Sequence, residues 1–192
     1  GQSFYVISFP AADIVINDMR HSSITFAFNI RQQEWYIWGV WNAPQGQYDR
    51  YPADTFLYIE PWGKRFVGFN GALWEVTGSK FDTTPVRMAI RTGWRSWGKL
   101  VDKISKEYVY DVKRGIGNSD VEEPVMVHRW RNNGNAEWHN PRFISLGKLG
   151  ERHRPQKSRI CGRYYERQDE FIFADPCEVV FSGVQEEWDA VR

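Results

Sequence analysis

The chain has 192 residues, 42% of them hydrophobic, and a formal net charge of +1. That apolar content supports a real core and excludes a disordered chain, and no apolar run approaches the ~20 residues of a membrane-spanning helix. The length suits one domain, so residues 1–192 are expected to form a single β-rich domain.

Charge is unevenly placed. Residues 1–60 hold three Lys/Arg against six Asp/Glu, residues 61–165 hold 20 against 10, and residues 166–192 hold two against eight. Two outcomes fit this asymmetry. The acidic ends can pack beside the basic middle and neutralise it, or the middle can form a basic face for nucleic acid or another polyanion.

In chain order, Ser3–Ser8 is a short β-rich run ended by Phe9-Pro10. Ser22–Ile30 and Glu34–Asn42 flank Arg31-Gln32-Gln33, the pattern of a β-hairpin. In Glu34–Asn42 alternation places Trp35, Ile37, Gly39 and Trp41 on one side and Tyr36, Trp38 and Val40 on the other. Both sides are apolar, so this is a central strand or one side is a ligand surface. Residues 43–53 read as a loop. Thr55–Glu60, Lys64–Phe69 and Ala72–Thr77 read as a three-stranded meander, with Pro61-Trp62-Gly63 and Asn70-Gly71 as its turns.

Val86–Arg91 is another strand. Leu100, Val101, Ile104 and Tyr108 recur at helical spacing, which predicts one short helix near 98–108. Pro124–Trp130 and Arg142–Leu146 read as strands around a loop at 131–140. Arg159–Tyr165 is expected to pair with Glu170–Ala174, Glu178–Phe181 to be the last strand, and residues 185–191 to form a short end helix. Many short strands predict a mainly β chain, an antiparallel β-sandwich or jelly roll, with a squat barrel as the alternative. With the 159–165 pairing, Cys161 and Cys177 fall at or beyond disulfide reach and are expected to be free thiols.

Ten tryptophans in one chain are unusual, because indole rings bury large area and need a partner for the N–H. Trp62 falls on a turn, and Trp94 and Trp97 lie in the Gly/Arg/Ser context of residues 92–98. Rings on turns offer flat platforms for sugar C–H faces or for bases, so these three are expected to share one exposed binding surface. The basic stretch 148–163 adds Arg152, Arg154, Lys157 and Arg159 as anion-binding candidates. The carboxylates Glu60 and Glu75 and the imidazoles His128 and His139 are residue types that acid–base or glycoside chemistry uses. Ordinary strand and loop positions explain them better, so no residue is assigned to catalysis, and no metal or cofactor is expected. The expectation is a non-enzymatic glycan-binding module. The alternatives are a nucleic-acid binder using residues 61–165, a glycoside-type hydrolase, and a structural, capsid-like jelly roll.

Overall fold

The computed structural model describes residues 3–77, 80–81, 84–151, 156–159 and 161–191. Strands make up 55% of the chain and helix 2%, in several antiparallel sheets, which is a mainly β fold of the β-sandwich type. No helix among the described residues is long and apolar enough to cross a membrane. The chain forms two compact units, Gly1–Thr77 and Gly78–Arg192.

The first unit opens with β1 (Phe4–Phe9), the small pair β2 (Ile14–Ile16) and β3 (Met19–His21), β4 (Ile24–Asn29), β5 (Glu34–Asn42) and β6 (Gln47–Arg50). A four-stranded sheet runs in the order β1-β4-β5-β6. The hairpin between β4 and β5 forms as its sequence predicts. Asn29 Oδ1 accepts from the amides of Arg31 (3.0 Å) and Gln32 (3.1 Å), and Gln33 takes the left-handed backbone that closes the turn. The presumed loop at 43–53 contains β6, paired to the end of β5. Then β7 (Thr55–Ile59), a 3₁₀ turn (Glu60–Trp62), β8 (Lys64–Phe69) and β9 (Ala72–Glu75) make the expected meander. Asn70 and Gly71 both have positive φ, as a two-residue primed turn demands.

The second unit contains β10 (Lys80–Phe81), β11 (Thr84–Pro85), β12 (Met88–Arg91), β13 (Lys103–Val112), β14 (Val125–Asn132), β15 (Arg142–Ser145), β16 (Gln156–Arg159), β17 (Arg163–Tyr164), β18 (Arg167–Phe173) and β19 (Phe181–Ala190). One sheet is ordered β12-β18-β14-β15. In the other, β13 pairs with β16 and β17 on one side and with β19 on the other. The core lies where Tyr108 and Tyr110 of β13 meet Met126, Trp130, Phe171 and Phe173.

Three expectations fail in this unit. Residues 98–108 are not helical; from Lys103 onward they are the central strand β13, and residues 185–191 belong to strand β19 apart from the last residue or two. The helical spacing of Leu100, Val101, Ile104 and Tyr108 was coincidental. Leu100 is 77% exposed, whereas Lys103 and Ser105 are buried and the bury–expose alternation is that of a strand. A register shift between Ser105 and Glu107 then brings Tyr108 and Tyr110 inward, and this bulge hid the period of two. Residues 159–165 do not pair with 170–174 either; β17 pairs with β13, while β18 lies between β12 and β14. Cys161 and Cys177 are both buried free thiols, although the pairing used to separate them is absent.

Lys103 is buried at 0% exposure because its ammonium donates to the carbonyls of Lys99 (2.9 Å), Val101 (2.8 Å) and Tyr165 (2.8 Å). Those three donor bonds end in a core position, so Lys103→Met is expected to cost about 2–4 kcal/mol. Leu100→Ala is expected to stay within about 0.5 kcal/mol. A helix at 98–108 would reverse that order, and paired urea denaturation curves decide between them.

Candidate functional site

The sheet β1-β4-β5-β6 has two unlike faces. One carries Thr25, Ala27 and Asn29 together with the rings of Phe4, Tyr36 and Trp38, and Tyr36 is exposed there. Thr25, Ala27 and Asn29 are fully buried there, and Thr25 Oγ1 accepts from the amide of Tyr51 at 3.1 Å. On the other face, cross-strand register sets Tyr5 beside Phe28 and Trp35, and Ile7 beside Phe26 and Ile37. Tyr5 is 59% exposed and Trp35 56%, and Phe9 and Ile37 are also exposed. Ring contacts join them into a stripe: Phe9 to Phe26 at 6.3 Å, Phe26 to Trp35 at 6.2 Å, and Trp35 to Phe28 at 4.9 Å. None of these side chains carries a charge. A large contiguous apolar face of this kind marks an interaction site on a protein surface. The sequence signal for it was the two-sided apolar pattern of Glu34–Asn42. β5 is both a central strand and the carrier of an open face.

The tryptophans expected to form one platform are divided between the units. Trp62 is 65% exposed on the 3₁₀ turn of the first unit, against Phe66 at 6.2 Å. Trp94 (37%) and Trp97 (41%) belong to the second unit and are exposed as expected, but each has a guanidinium on its ring. Arg131 lies over Trp94 at 5.3 Å and Arg95 over Trp97 at 4.7 Å. The Trp97 indole donates to Tyr164 Oη (3.2 Å) and Glu186 Oε2 (3.1 Å). Trp138, in the loop after β14, has Arg91, Arg129 and Arg131 over its ring at 4.7–5.1 Å. This guanidinium–indole stack covers the outward side of β18. Sequence reasoning missed it because Arg129, Arg131 and Trp138 look unrelated until β14 and its loop fold back. Trp138 also lines a surface hollow with Asn135, Glu137 and His139.

Beneath this stack lies a buried ionic network. Glu170 accepts from Arg91 (2.8 Å) and Arg129 (2.5 Å). Asp169, with no exposed surface, takes Arg95 on Oδ2 and, on Oδ1, His128 Nε2 (2.9 Å) and the Tyr108 hydroxyl (3.2 Å). An ionised carboxylate only accepts, so His128 Nε2 is the donor. Its Nδ1 then accepts from the Tyr110 hydroxyl at 2.7 Å. Arg167 donates to Asn132 Oδ1 (2.9 Å), Tyr108 Oη (3.3 Å) and Glu186 Oε1 (3.4 Å). Both His128 nitrogens are engaged inside the core, so this residue ties β13, β14 and β18 together.

The remaining sequence candidates scatter. His139 is exposed, and it and His128 each contact the Trp130 ring, at 5.8 and 5.2 Å. Glu75 pairs with Lys64 at 2.8 Å across β9 and β8, while Glu60 begins the 3₁₀ turn. Lys157 and Arg159 both bind Glu107, at 2.5 and 2.9 Å, which holds that carboxyl below its ordinary value. Arg152 and Arg154 lie outside the described residues. Among the described residues no group of three His, Cys, Asp or Glu is placed to hold a metal ion.

The network fixes a pH dependence. Burial pushes the His128 imidazole below the ordinary histidine value, against the pull of Asp169. An unfolded histidine takes a proton near pH ~6.5, so below that pH the unfolded chain binds the extra proton and stability falls. Burial alone would raise Asp169 and Glu170, but His128, Arg95 and Arg167 around the first and Arg129 and Arg91 around the second hold both below the ordinary carboxylate value. Their contribution is present at neutral pH and is lost as pH falls through those lowered values. The urea midpoint is expected to decline from pH 7 to 5 and then steeply below about pH 4. His128→Gln should flatten the first limb while lowering the whole curve; a wild-type profile flat from pH 7 to 5 contradicts the assignment. Compared with family models and with curated proteins, the chain matches none.

Proposed function

We propose that this chain is a non-enzymatic assembly module that joins other protein through the open aromatic face of β1, β4 and β5. The observation that carries this reading is the uncharged stripe Phe9–Phe26–Trp35–Phe28, in which Phe9 and Trp35 are exposed. Leaving such a face in water forfeits about 25 cal/mol for each Å² that contact would cover. β7 supports the same reading: Phe56, Leu57 and Tyr58 are successive in one strand and all exposed. The reading belongs with the structural alternative from the sequence rather than with the glycan expectation. The indoles expected to meet sugar, Trp94 and Trp97, are occupied by Arg131, Arg95, Tyr164 and Glu186.

A charged outward substitution tests it. Ile37→Glu is expected to leave the thermal midpoint within about 3 °C, because an exposed position gives up little on substitution. The wild-type chain should bind a hydrophobic reporter dye, and Ile37→Glu should reduce that binding severalfold. If Ile37→Glu unfolds the protein, the face is core and the assembly reading fails.

One observation favours a second reading. The hollow at Asn135–His139 gathers amide, carboxylate and imidazole groups beside Trp138, groups that hydrogen-bond sugar hydroxyls, while the Trp138 ring itself is taken by three guanidiniums. If the chain binds glycan there, Trp138→Ala should abolish the signal on a glycan array while Trp62→Ala leaves it unchanged. A wild-type chain without array signal removes this reading. Support for a polyanion partner is weaker, since Lys157 and Arg159 share the Glu107 carboxylate and Lys148 pairs with Glu122.

A further inference from the structure

We infer that the carbonyls of Lys99, Val101 and Tyr165 and the rings of Tyr164, Tyr165 and Trp188 form a receptor for a primary ammonium group, which the chain fills with its own Lys103. The inference lies within the second unit and stands apart from the assembly reading.

Strand register builds the receptor. Lys103 opens β13 opposite Tyr164 of β17 on one side and Ala190 of β19 on the other. Tyr164 and Tyr165 therefore come from one flank, and Trp188, opposite Ser105, from the other. The Lys103 ammonium lies 5.7 Å from the Tyr164 ring centroid, 5.4 Å from Tyr165 and 5.7 Å from Trp188. The chain entering β13 turns at Trp97 and Gly98, both with positive φ, and supplies the carbonyls of Lys99 and Val101. The third carbonyl, that of Tyr165, arrives from 62 residues away.

Electrostatics specifies the occupant. Carbonyl oxygens aimed at one point repel one another, and a buried carbonyl without a donor keeps its full desolvation cost. A cation that donates hydrogen bonds removes both penalties, and the negative ring faces add to its attraction. A primary ammonium has three N–H donors, one for each carbonyl here. Burial pulls the Lys103 amine below the ordinary lysine value, while Asp102 and Glu186 favour its charged form. A quaternary ammonium would meet the rings but leave the carbonyls unpaired, and a guanidinium spreads its donors in a flat fork rather than from one point. The ligand class is therefore the primary alkylammonium, as a free amine or a lysine side chain.

Lys103→Ala empties the receptor and removes a group the size of n-propylammonium, so chemical rescue tests the inference. Thermal midpoints of the full chain are compared in n-propylammonium, tetramethylammonium and sodium chlorides at equal ionic strength, about 100 mM. The Lys103→Ala midpoint should rise by about 3 °C or more in n-propylammonium over either other salt. The wild type, already filled, should not distinguish the three. A variant that responds alike to all three salts overturns the receptor, and so does a wild type with the same selective gain. If Lys103→Ala does not fold, magnetic resonance of the wild type with isotope-labelled lysine decides. One ammonium signal should then survive exchange at pH 7, with its Cε protons shifted upfield by the surrounding rings. Rapid exchange at every lysine, or a protected ammonium without the ring shift, overturns the inference.

Discussion

Every other feature of the second unit follows from one constraint: β18 is buried along its whole length while carrying Arg167, Asp169 and Glu170. An unpaired buried charge costs several kcal/mol, and removing one partner of a buried pair typically costs 3–5 kcal/mol. The neighbours of β18 are therefore those that can satisfy it. Arg91 comes from β12 and Arg129 from β14 for Glu170, His128 from β14 and Tyr108 from β13 for Asp169, and Glu186 from β19 for Arg167. A register slip of one residue in β18 would turn Asp169 outward and Glu170 inward, away from both sets of partners. The pairing thus sets register as well as stability. It also accounts for part of the uneven charge along the chain, because the acidic C-terminal stretch supplies Asp169, Glu170, Glu178 and Asp189 as partners for cations of the basic middle.

The two units use tryptophan differently. In the second, all five indoles meet a cation: Trp94, Trp97, Trp130 and Trp138 meet arginines, and Trp188 meets Lys99 and Lys103. A desolvated contact of this kind contributes about 2 kcal/mol, so these rings act as clasps over a charged interior. In the first unit the neighbours of Trp35, Trp38, Trp41 and Trp62 are other aromatic rings, and part of that surface faces water. The same composition thus carries two physical roles, packing against cations in one unit and against other rings in the other.

Most of the longer strands of the first unit were legible because their signals are local, while β2, β3 and β6 were not. Period-two alternation, Asn70-Gly71 and the turn after Asn29 each act within a few residues. The face of β5 was legible too, in its two-sided apolar pattern. The second unit was harder because its decisive partners are distant. Lys103 reads as a surface residue until the carbonyl of Tyr165 is known to lie above it, and His128 reads as an ordinary strand imidazole until Asp169 arrives from 41 residues away. A bulge near Lys106 broke the alternation that would have identified β13. Pattern reading assigns inside and outside by hydrophobicity, and it fails where a core is built from satisfied charges.

Trp97 shows the same failure at a single residue. Its flanking glycines and serine suggested a loosely held ring. Its backbone has φ of 55°, a left-handed conformation that is strained for a bulky side chain. Such strain, of order 1–3 kcal/mol, persists only where the surroundings over-determine it. Here the determinants are Arg95 on the ring face and the indole bonds to Tyr164 and Glu186, while Glu186 also receives Arg167. Trp97 is thereby coupled to the same buried carboxylate–guanidinium system that orders β18. Its ring and its indole N–H are thus both engaged, although the residue is 41% exposed.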